Sequence, residues 1–362
     1  MTHTSIVTKL LTTTIPRYMT IATTMSSTFT NTVTLQKIVA TTLVETRTLR
    51  ELAIIDQSLR LVKLPSKGAK RLIVLQSYWA ELVSVLGHGD DIVGIGSYVK
   101  YSHYIPDYVR KLPVVGSVFK GLNYEEVLAL KPDLEIMDVG YGRADEIIEK
   151  LSSLGIQVLT LKLRDFKDLL QAIILIGQAL GELEKSRELV KYLQDHYDKL
   201  VTWCRGIKYR PKTLMVSASK IIKSEGAITT LYVWSPWGLA IEVSGGHNIA
   251  CDYYDKSWMK VDLETIVKLD PEAIILVGYK SSDLEKAKEI VLEKWRVVKA
   301  VKEGKVYTIQ AGSYEGAYLD WSPRLIIAYY QLASILHGDE FPYDWRSLAN
   351  ELLEKYYPWL KG

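Results

Sequence analysis

The stretch NYEEVLALKPD (residues 123–133) returns in altered form as DLETIVKLDPE (residues 262–272). In both copies apolar residues follow a helical spacing, and a proline followed by an acidic residue ends the helix. A short apolar run comes next, which predicts a buried strand. Glu125 and Glu264 occupy the same place in the two copies. The repeat therefore predicts two related halves in one chain.

The sequence around each copy alternates between short apolar runs and stretches with helical spacing. Such alternation predicts parallel sheets with helices on both faces. The predicted strands are residues 71–75, 91–95, 114–115, 134–138, 157–161, 213–217, 273–277 and 306–309. The predicted helices are residues 77–86, 124–130, 144–154, 238–243, 263–269, 284–292, 323–336 and 345–356. The fold class is therefore α/β, with two Rossmann-like lobes at residues 65–164 and 211–360.

A long stretch between the halves, residues 165–205, contains no proline and keeps apolar residues at helical intervals. Gly177 and Gly181 interrupt it, but a glycine weakens a helix without having to end it. We therefore expect one continuous, rigid helix that joins the two lobes. Because a helix is a stiffer connector than paired strands, we also expect the lobes to close only slightly on a ligand.

The first fifty residues differ in composition from the rest of the chain. Seventeen of them are threonine and none is glycine, and no apolar run approaches the roughly 18 residues that span a bilayer. A secretory signal needs an apolar stretch of about 7–15 residues after a basic start, and none is clean here. Residues 1–50 are either a solvated low-complexity tail or a stalk between a membrane anchor and the folded body. The sequence leaves both interpretations open.

The distribution of charge argues against a nucleic-acid surface. The chain has 45 Lys and Arg against 42 Asp and Glu. The three excess basic side chains, Lys9, Arg17 and Lys37, all lie in residues 1–44, which contain no acid. The rest of the chain is balanced and gives no electrostatic reason to bind a polyanion.

Motifs for catalysis or for a bound cofactor are missing. The chain has no complete glycine-rich phosphate loop, no Gly-x-Ser-x-Gly elbow and no His-Glu-x-x-His. Cys204 and Cys251 permit one disulfide at most and rule out a thiolate metal cluster, and we interpret them as buried thiols. We expect no enzyme, no cofactor and no metal site, with a metal role for His103 or His247 as the alternative.

Aromatic residues are the conspicuous feature of the composition, with 23 Tyr and 9 Trp but only 4 Phe. Many follow predicted strands, in loops that line the ligand crevice of doubly wound sheets. Their apolar faces and polar edges suit a large, partly polar ligand, although any single ring also fits a position beneath a loop. The candidate ligand-binding residues are Tyr78, Tyr98, Phe119, Tyr141, Trp234, Trp237, Trp258 and Tyr314.

Over residues 65–357 the chain resembles the solute-binding proteins of ABC importers for iron–siderophore complexes, haem and cobalamin. The resemblance rests on the order and spacing of RLIVLQSYWAELVSVLG (71–87), DDIVGIGSYV (90–99), LPVVGSVFKGLNYEEVLALKPDLEI (112–136), LSSLGIQVLTL (151–161), SGGHNIA (244–250), VDLETIVKLDPEAIIL (261–276) and WSPRLIIAYYQLASIL (321–336). It implies a class III periplasmic-binding-protein fold with the ligand held between two lobes. It also implies an extracytoplasmic location, a membrane tether, and an ABC permease dimer with its ATPase subunits as partners.

The resemblance also implies roles for individual residues. Glu125 and Glu264 match the pair of surface glutamates, one on each lobe, by which this family docks on arginines of the permease dimer. Phe119 and Trp258 match aromatic positions that flank the ligand in cobalamin-type members, although Phe119 stands where those members have tryptophan. The nearest basic candidates for an anionic ligand, without a matching motif, are Lys120, Arg143 and Lys220.

Taken together, these features predict a receptor that delivers a chelated metal to an ABC importer, with an iron–siderophore first and cobalamin or haem next. Two alternatives stay open. The same fold binds a bare oxyanion such as molybdate or tungstate, although a small anion favours backbone N–H groups and hydroxyls over an aromatic wall. A chelatase-like enzyme also fits the scaffold, but the chain lacks an acid–base or nucleophile constellation.

Overall fold

The computed structural model describes residues 51–361, so the expectations for residues 1–50 lie outside the described part. The described chain opens with an antiparallel hairpin, β1 (Glu51–Ile55) and β2 (Leu61–Pro65), which the sequence analysis did not predict. Asp56 ties the hairpin to the first sheet, because its Oδ2 accepts hydrogen bonds from Thr160 N (3.1 Å) and Thr160 Oγ1 (2.5 Å).

The first lobe is built on a sheet with the strand order β6-β5-β4-β3-β7-β8. Neighbouring strands are parallel except β6, which pairs antiparallel with β5. The strands are β3 (Leu72–Val74), β4 (Ile92–Gly96), β5 (Val114–Ser117), β6 (Gly121–Leu122), β7 (Leu134–Asp138) and β8 (Gln157–Leu161). The helices are α1 (Ser77–Val85), α2 (Asp107–Arg110), α3 (Tyr124–Leu130) and α4 (Ala144–Ser153).

The second lobe is built on a mixed sheet with the order β12-β10-β9-β13-β14, and β11 also pairs with β9. The strands are β9 (Lys212–Ser217), β10 (Ile228–Tyr232), β11 (His247–Asn248), β12 (Trp258–Asp262), β13 (Ala273–Gly278) and β14 (Val306–Gln310). Its helices are α7 (Ala218–Lys223), α8 (Pro236–Val243), α9 (Leu263–Leu269), α10 (Ser281–Lys294) and α11 (Lys299–Lys302).

The α/β fold class is confirmed, but the second sheet is not wholly parallel. β11 and β13 pair parallel with β9, and β14 pairs parallel with β13, whereas β10 pairs antiparallel with both β9 and β12. Only residues 218–227 connect β9 to β10. A parallel crossover needs about a dozen residues or more, so this short connection returns the chain in the opposite direction.

The predicted continuous helix over residues 165–205 is wrong. The structure forms α5 (Phe166–Leu180) and α6 (Leu183–Gly206), separated at Gly181, whose φ of +79° is left-handed. The two helices run antiparallel, because Phe166 stacks on Tyr197 with ring centroids 4.6 Å apart. At Gly181 a Cβ would lie 2.9 Å from Lys67 O, so this glycine both ends α5 and permits close packing.

The 24-residue helix α6 carries the chain from the first lobe to the second. Just before it begins, Glu182 Oε1 lies 3.2 Å from His88 Nε2 in the first lobe. Near its end, Cys204 Sγ lies 3.3 Å from Val243 O in the second lobe. Cys204 and Cys251 are free thiols, the first buried and the second half-buried, and burial raises the pKa of each to about 11.

The last two helices, α12 (Leu325–His337) and α13 (Trp345–Tyr356), close the structure across both lobes. Arg324, at the start of α12, forms an ion pair with Glu81 of α1 in which both side chains are fully buried, at 2.8 Å. Tyr357 donates a hydrogen bond to the same carboxylate (2.5 Å), and Arg324 lies over the ring of Tyr104. Within residues 51–361 no helix is both long and apolar enough to cross a membrane.

The sequence repeat is a structural repeat. Asn123 caps α3 by accepting from Glu126 N (3.3 Å), and Asp262 caps α9 by accepting from Thr265 N (2.9 Å). Both helices are followed by a residue with φ of +46°, and then by the buried strands β7 and β13. The predicted helix–strand unit is therefore confirmed in both lobes.

Candidate functional site

The carboxyl ends of the two sheets meet at one junction. Ser77 begins α1 directly after β3, and Ser313 follows β14. The hydroxyl of Ser313 donates to Ser77 Oγ (3.0 Å), and its carbonyl accepts from His103 N (2.7 Å). Since ligands of parallel α/β sheets bind beyond the carboxyl ends of the strands, the cleft between the lobes is the candidate site.

A ring of hydrogen bonds lines the cleft on the first lobe. Asp138, the last residue of β7, accepts from Trp79 Nε1 (2.6 Å) at Oδ1 and from the hydroxyls of Tyr78 and Tyr141 (3.3 Å for Tyr141) at Oδ2. Gln76 closes the ring, because its Nε2 donates to the Tyr141 hydroxyl (3.0 Å). The carboxylate thus joins side chains from the first turn of α1 and from the loop after β7.

Phe119 extends this ring towards solvent. Its centroid lies 5.6 Å from that of Tyr141, and 58% of Phe119 and 38% of Tyr141 are exposed. We call Gln76, Tyr78, Phe119, Asp138 and Tyr141 the first wall. The structure therefore brings together Tyr78, Phe119 and Tyr141, three of the predicted ligand-binding residues.

The first wall keeps its hydroxyls protonated and its carboxylate charged at neutral pH. Burial raises the pKa of Asp138 to about 6, against the lowering effect of the hydrogen bonds that it accepts. The negative charge of Asp320 raises it further. Burial, followed by the charge of Asp138, raises the pKa values of Tyr78 and Tyr141 above the ordinary value.

The second lobe carries its own cluster of aromatic rings. The rings of Tyr232 and Trp237 lie 5.0 Å apart, and those of Trp237 and Tyr279 lie 6.1 Å apart. Trp258 pairs across the strands with Tyr232 and is 60% exposed. Trp234 is also exposed, and its Nε1 donates to a backbone carbonyl (2.8 Å). We call Tyr232, Trp234, Trp237, Trp258 and Tyr279 the second wall.

The predicted ligand-binding residues are not all in loops. Tyr78 lies in α1, Trp237 in α8 and Trp258 at the start of β12, which corrects the sequence-based placement of these three. Tyr98 and Tyr314 lie in turns and are exposed. Their roles in binding, like those of the other candidates, stay predictions.

Sequence reasoning missed Asp138, Gln76 and Tyr279. A signal for Asp138 was present, because an acid at the carboxyl end of a buried strand faces the crevice in such sheets. The corresponding position in the second copy of the repeat is Val277. The presence of an acid in one copy of the repeat and of valine in the other was thus the sequence signal that could have identified Asp138.

The predicted docking residues lie on equivalent helices. Glu125 and Glu264 are exposed in the first turns of α3 and α9. Glu264 forms an ion pair with Lys268 (2.8 Å). Their contact with a permease stays a prediction.

The basic candidates are not gathered at the cleft floor. Arg143 pairs with Glu146 (2.8 Å) and donates to Lys120 O (3.1 Å), so its guanidinium group makes its contacts within the first lobe. The side chains of Lys120 and Lys220 are exposed. These observations give no concentrated positive charge for an anion.

The histidine candidates have protein partners. The backbone of His103 bonds to Ser313, while the ring of His247 lies between Glu242 (3.3 Å) and Asp252 (2.8 Å). Among residues 51–361, no group of three His, Cys, Asp or Glu side chains is arranged to hold a metal ion.

A separate open groove of about 670 Å³ lies on the first lobe, outside the interlobe cleft. The turn of the β1–β2 hairpin, the end of β8 and one side of α4 line it. Arg60 and Lys162 oppose Asp145 and Glu149 across it, so its charges balance. The aromatic walls make the interlobe cleft the better candidate.

Comparison with known families identifies the protein's relatives. The family described as "Periplasmic binding protein" matches residues 72–312. An ABC transporter substrate-binding lipoprotein of Bacillus subtilis (strain 168), YvrC, is 28% identical over 76% of this chain and 82% of its own length. A vitamin B12-binding protein of Yersinia pestis (strain Pestoides F) is 28% identical over 61% of this chain and 74% of its own length.

Solved structures share the fold. A periplasmic solute-binding protein of Veillonella parvula has a TM-score of 0.69 at 25% identity and covers 84% of this chain and 92% of its own. A molybdate periplasmic binding protein of Haemophilus influenzae has a TM-score of 0.68 at 23% identity and covers 84% and 98%. Both chains thus have the same two-lobed architecture.

Proposed function

The chain belongs to the family of periplasmic binding proteins and is the substrate-binding component of an ABC transporter, and from this premise we propose that it carries a chelated metal in its interlobe cleft. A ferric siderophore is the first candidate, followed by cobalamin and haem. The family and its neighbours are solute-binding proteins, not enzymes.

The observation that carries this proposal is the presence of exposed aromatic rings on both lobes. Phe119 and Tyr141 stand on the first wall, and Trp234, Trp258 and Tyr279 on the second. Rings of this kind bury a broad apolar surface while their polar edges keep hydrogen bonds. A metal enclosed in an organic chelate offers such a surface, whereas a bare oxyanion does not. The B12-binding relative adds support for a large chelate.

Titration of the purified full chain tests the ligand class. The probes are cyanocobalamin, a ferric trihydroxamate, haemin and molybdate, each followed by calorimetry or by quenching of tryptophan fluorescence. We expect at least one chelate to bind and molybdate not to bind. Binding of molybdate alone would replace this proposal with the oxyanion alternative.

Truncation of the walls tests the aromatic argument. Phe119→Ala and Trp258→Ala should each weaken chelate binding by about 1–3 kcal/mol, or roughly 5- to 150-fold. Tyr209→Ala is the matched control, since Tyr209 is an exposed ring beside Lys212, at the amino end of β9. Undiminished binding by the double variant would remove the aromatic walls from the binding site.

We propose that Glu125 and Glu264 dock the protein on its permease. Two exposed carboxylates at equivalent places on two related lobes suit a partner with two-fold symmetry, and arginine–carboxylate contacts are strong and oriented. In a reconstituted transporter, Glu125→Lys or Glu264→Lys should reduce stimulation of the ATPase while leaving ligand affinity unchanged. Glu285→Lys, on the exposed side of α10, is the control. An equal loss of ligand affinity would place the glutamates in the cleft instead.

We propose an extracytoplasmic location, with residues 1–50 as the tether to the membrane. A lipoprotein relative and the transporter role support this placement. Protease added to intact source cells should then degrade the protein while a cytoplasmic marker survives. Protection equal to that of the marker would contradict it.

A further inference from the structure

We infer that Asp138 is a positioning residue that orients the Tyr141 hydroxyl of the first wall as a hydrogen-bond acceptor, so that the cleft favours a ligand presenting N–H or O–H donors over an oxyanion. The inference rests on the proposed function and narrows its ligand class. It follows from four features of the structure.

The first feature is the number of donors that Asp138 collects. Its carboxylate is almost fully buried and accepts hydrogen bonds from the Trp79 indole and from the hydroxyls of Tyr78 and Tyr141. A carboxylate has no proton to give at neutral pH, and bonds to a charged acceptor are stronger than neutral ones. Asp138 therefore holds all three donors in place.

The second feature is what these bonds leave for a ligand. A tyrosine hydroxyl has one proton and two lone pairs. When Tyr141 donates its proton to Asp138 and accepts from Gln76 (3.0 Å), only a lone pair remains. A ligand that reaches this hydroxyl can then donate a hydrogen bond to it but cannot accept one from it. Amide N–H groups, ammonium groups and metal-bound water meet this requirement, and an oxyanion does not.

The third feature is the absence of a compensating cation. Within residues 51–361, the structure shows no ion pair to Asp138, and the buried Arg324 pairs with Glu81 at 2.8 Å. The charged group whose field acts on Asp138 is Asp320, an acid from the opposite lobe. Arg324 lies 3.8 Å from Asp320 and compensates that acid, so within the described chain Asp138 is the acid at the junction without an ion-pair partner, and its charge opposes an anionic ligand.

The fourth feature is the contrast with the second lobe. The repeat position that holds Asp138 in β7 holds the buried Val277 in β13. At this position the second lobe therefore has no carboxylate that could accept hydrogen bonds from tyrosine hydroxyls. The first wall offers a ligand an oriented hydrogen-bond acceptor, while the second wall offers mainly apolar contact.

Asp138→Asn tests the inference in the full chain. The amide oxygen still accepts from Trp79, but the amide N–H₂ donates and frees hydroxyl protons to face the cleft. We expect binding of cyanocobalamin or of the ferric trihydroxamate, whichever the unaltered chain binds, to weaken about 5- to 30-fold. Molybdate should gain measurable binding. The matched control is Glu135→Gln, a buried acid of the same strand on the opposite face, which should leave both affinities unchanged.

The pH profile separates positioning from a merely structural role. With Asp138 protonated, one carboxyl oxygen becomes a donor, so chelate affinity should fall from pH 7.5 to pH 5 with a midpoint near 6. The titratable and charged groups that act on Asp138 are Tyr78 and Tyr141 of its own lobe and Asp320 of the other, with Arg324 3.8 Å from Asp320. Asp138→Asn should flatten this profile. Tyr141→Phe, which removes one acceptor and leaves Asp138 in place, repeats the affinity test if Asp138→Asn fails to fold.

The outcomes distinguish the inference from the proposed function. Weaker chelate binding and a flat pH profile in Asp138→Asn support the inference. Chelate binding that is unchanged in Asp138→Asn and in Tyr141→Phe overturns the inference and leaves the proposed function standing. An unaltered chain that binds molybdate and no chelate overturns both.

Discussion

Residues 123–138 of the first lobe and residues 262–277 of the second follow the same path, but at two buried positions the first has an acid where the second has an apolar residue. Each segment is a capped helix, a left-handed turn, a proline and a buried strand. Where the first strand has Glu135 and Asp138, the second has Ile274 and Val277. The backbone unit therefore does not require acids at these positions, and their presence is a property of the first lobe alone.

The two acids of the first lobe differ in how they are satisfied. Asp138 has three hydrogen-bond donors, whereas both carboxylate oxygens of Glu135 are buried without a hydrogen-bond partner in the described part of the chain. Burial raises the pKa of Glu135 to about 8. Ile274, at the matching position, is fully buried among apolar side chains. Asp138 therefore orients its neighbours through hydrogen bonds, while the unpaired, buried Glu135 lowers the stability of the folded state.

The largest expected effect comes from copying the acid into the second lobe. Ile274→Glu buries a carboxyl group in the middle of the strand β13, and burial of an ionisable group without a partner destabilises a protein by about 4 kcal/mol or more. Urea unfolding at pH 8 measures this loss against the unaltered chain. Ile274→Leu is the control, and a loss as small as that of the control would contradict the comparison.

The reverse change, Glu135→Ile, should stabilise the protein in a pH-dependent way. In the folded chain Glu135 keeps its proton until about pH 8, whereas in the unfolded chain it ionises near 4.5. Between these values the folded state holds the extra proton, so stability falls as pH rises, by up to about 1.4 kcal/mol per pH unit. Glu135→Ile should remove this slope and gain about 2–4 kcal/mol at pH 8, with little gain at pH 4.5.

Unfolding curves across pH 4.5–8.5 measure this effect, with Glu135→Gln as the companion variant that keeps the shape but removes the proton equilibrium. A slope that persists in both variants would assign the pH dependence to other groups.

The smallest expected effect concerns the two helix caps. Asn123→Ala should lose about 0.5–1 kcal/mol, because Asn123 accepts one weak hydrogen bond from Glu126 N. Asp262→Ala should lose more, since Asp262 accepts from both Thr265 N (2.9 Å) and Thr265 Oγ1 (2.7 Å). These bonds hold the pKa of Asp262 below its ordinary value, so its cap is present above that value and is lost in acid. Thermal unfolding at pH 7 and pH 3 checks both the order and the pH dependence, and an equal loss for the two caps would contradict it.

Local sequence signals predicted most of the fold. The repeat, the apolar runs and the prolines located β7, β13, α3 and α9 because each signal acts within a few residues. The strands β10 and β12 escaped prediction, since their sequences, ITTLY and WMKVD, show no clean alternation of apolar and polar residues, although the burial of β10 does alternate. Gly181 escaped because a left-handed cap and an internal helical glycine look alike until the packing against Lys67 is known.

The candidate site was less predictable than the fold. Aromatic composition indicated a cleft lined by rings, and the structure brings Tyr78, Phe119 and Tyr141 to one wall. The organising role of Asp138 depends on partners such as Trp79, 59 residues away in the chain. A single sequence shows the type of each residue but not which distant donors converge on it.

The buried ion pair between Glu81 and Arg324 has a consequence for how the protein is made. The two residues are 243 positions apart, one in the first lobe and the other at the start of the last pair of helices. During synthesis from the amino end, α1 therefore lacks the counter-charge for Glu81 until nearly the whole chain exists. A nascent or truncated chain that ends before Arg324 leaves a carboxylate to be hydrated instead of buried. Completion of the first lobe thus waits for the end of translation.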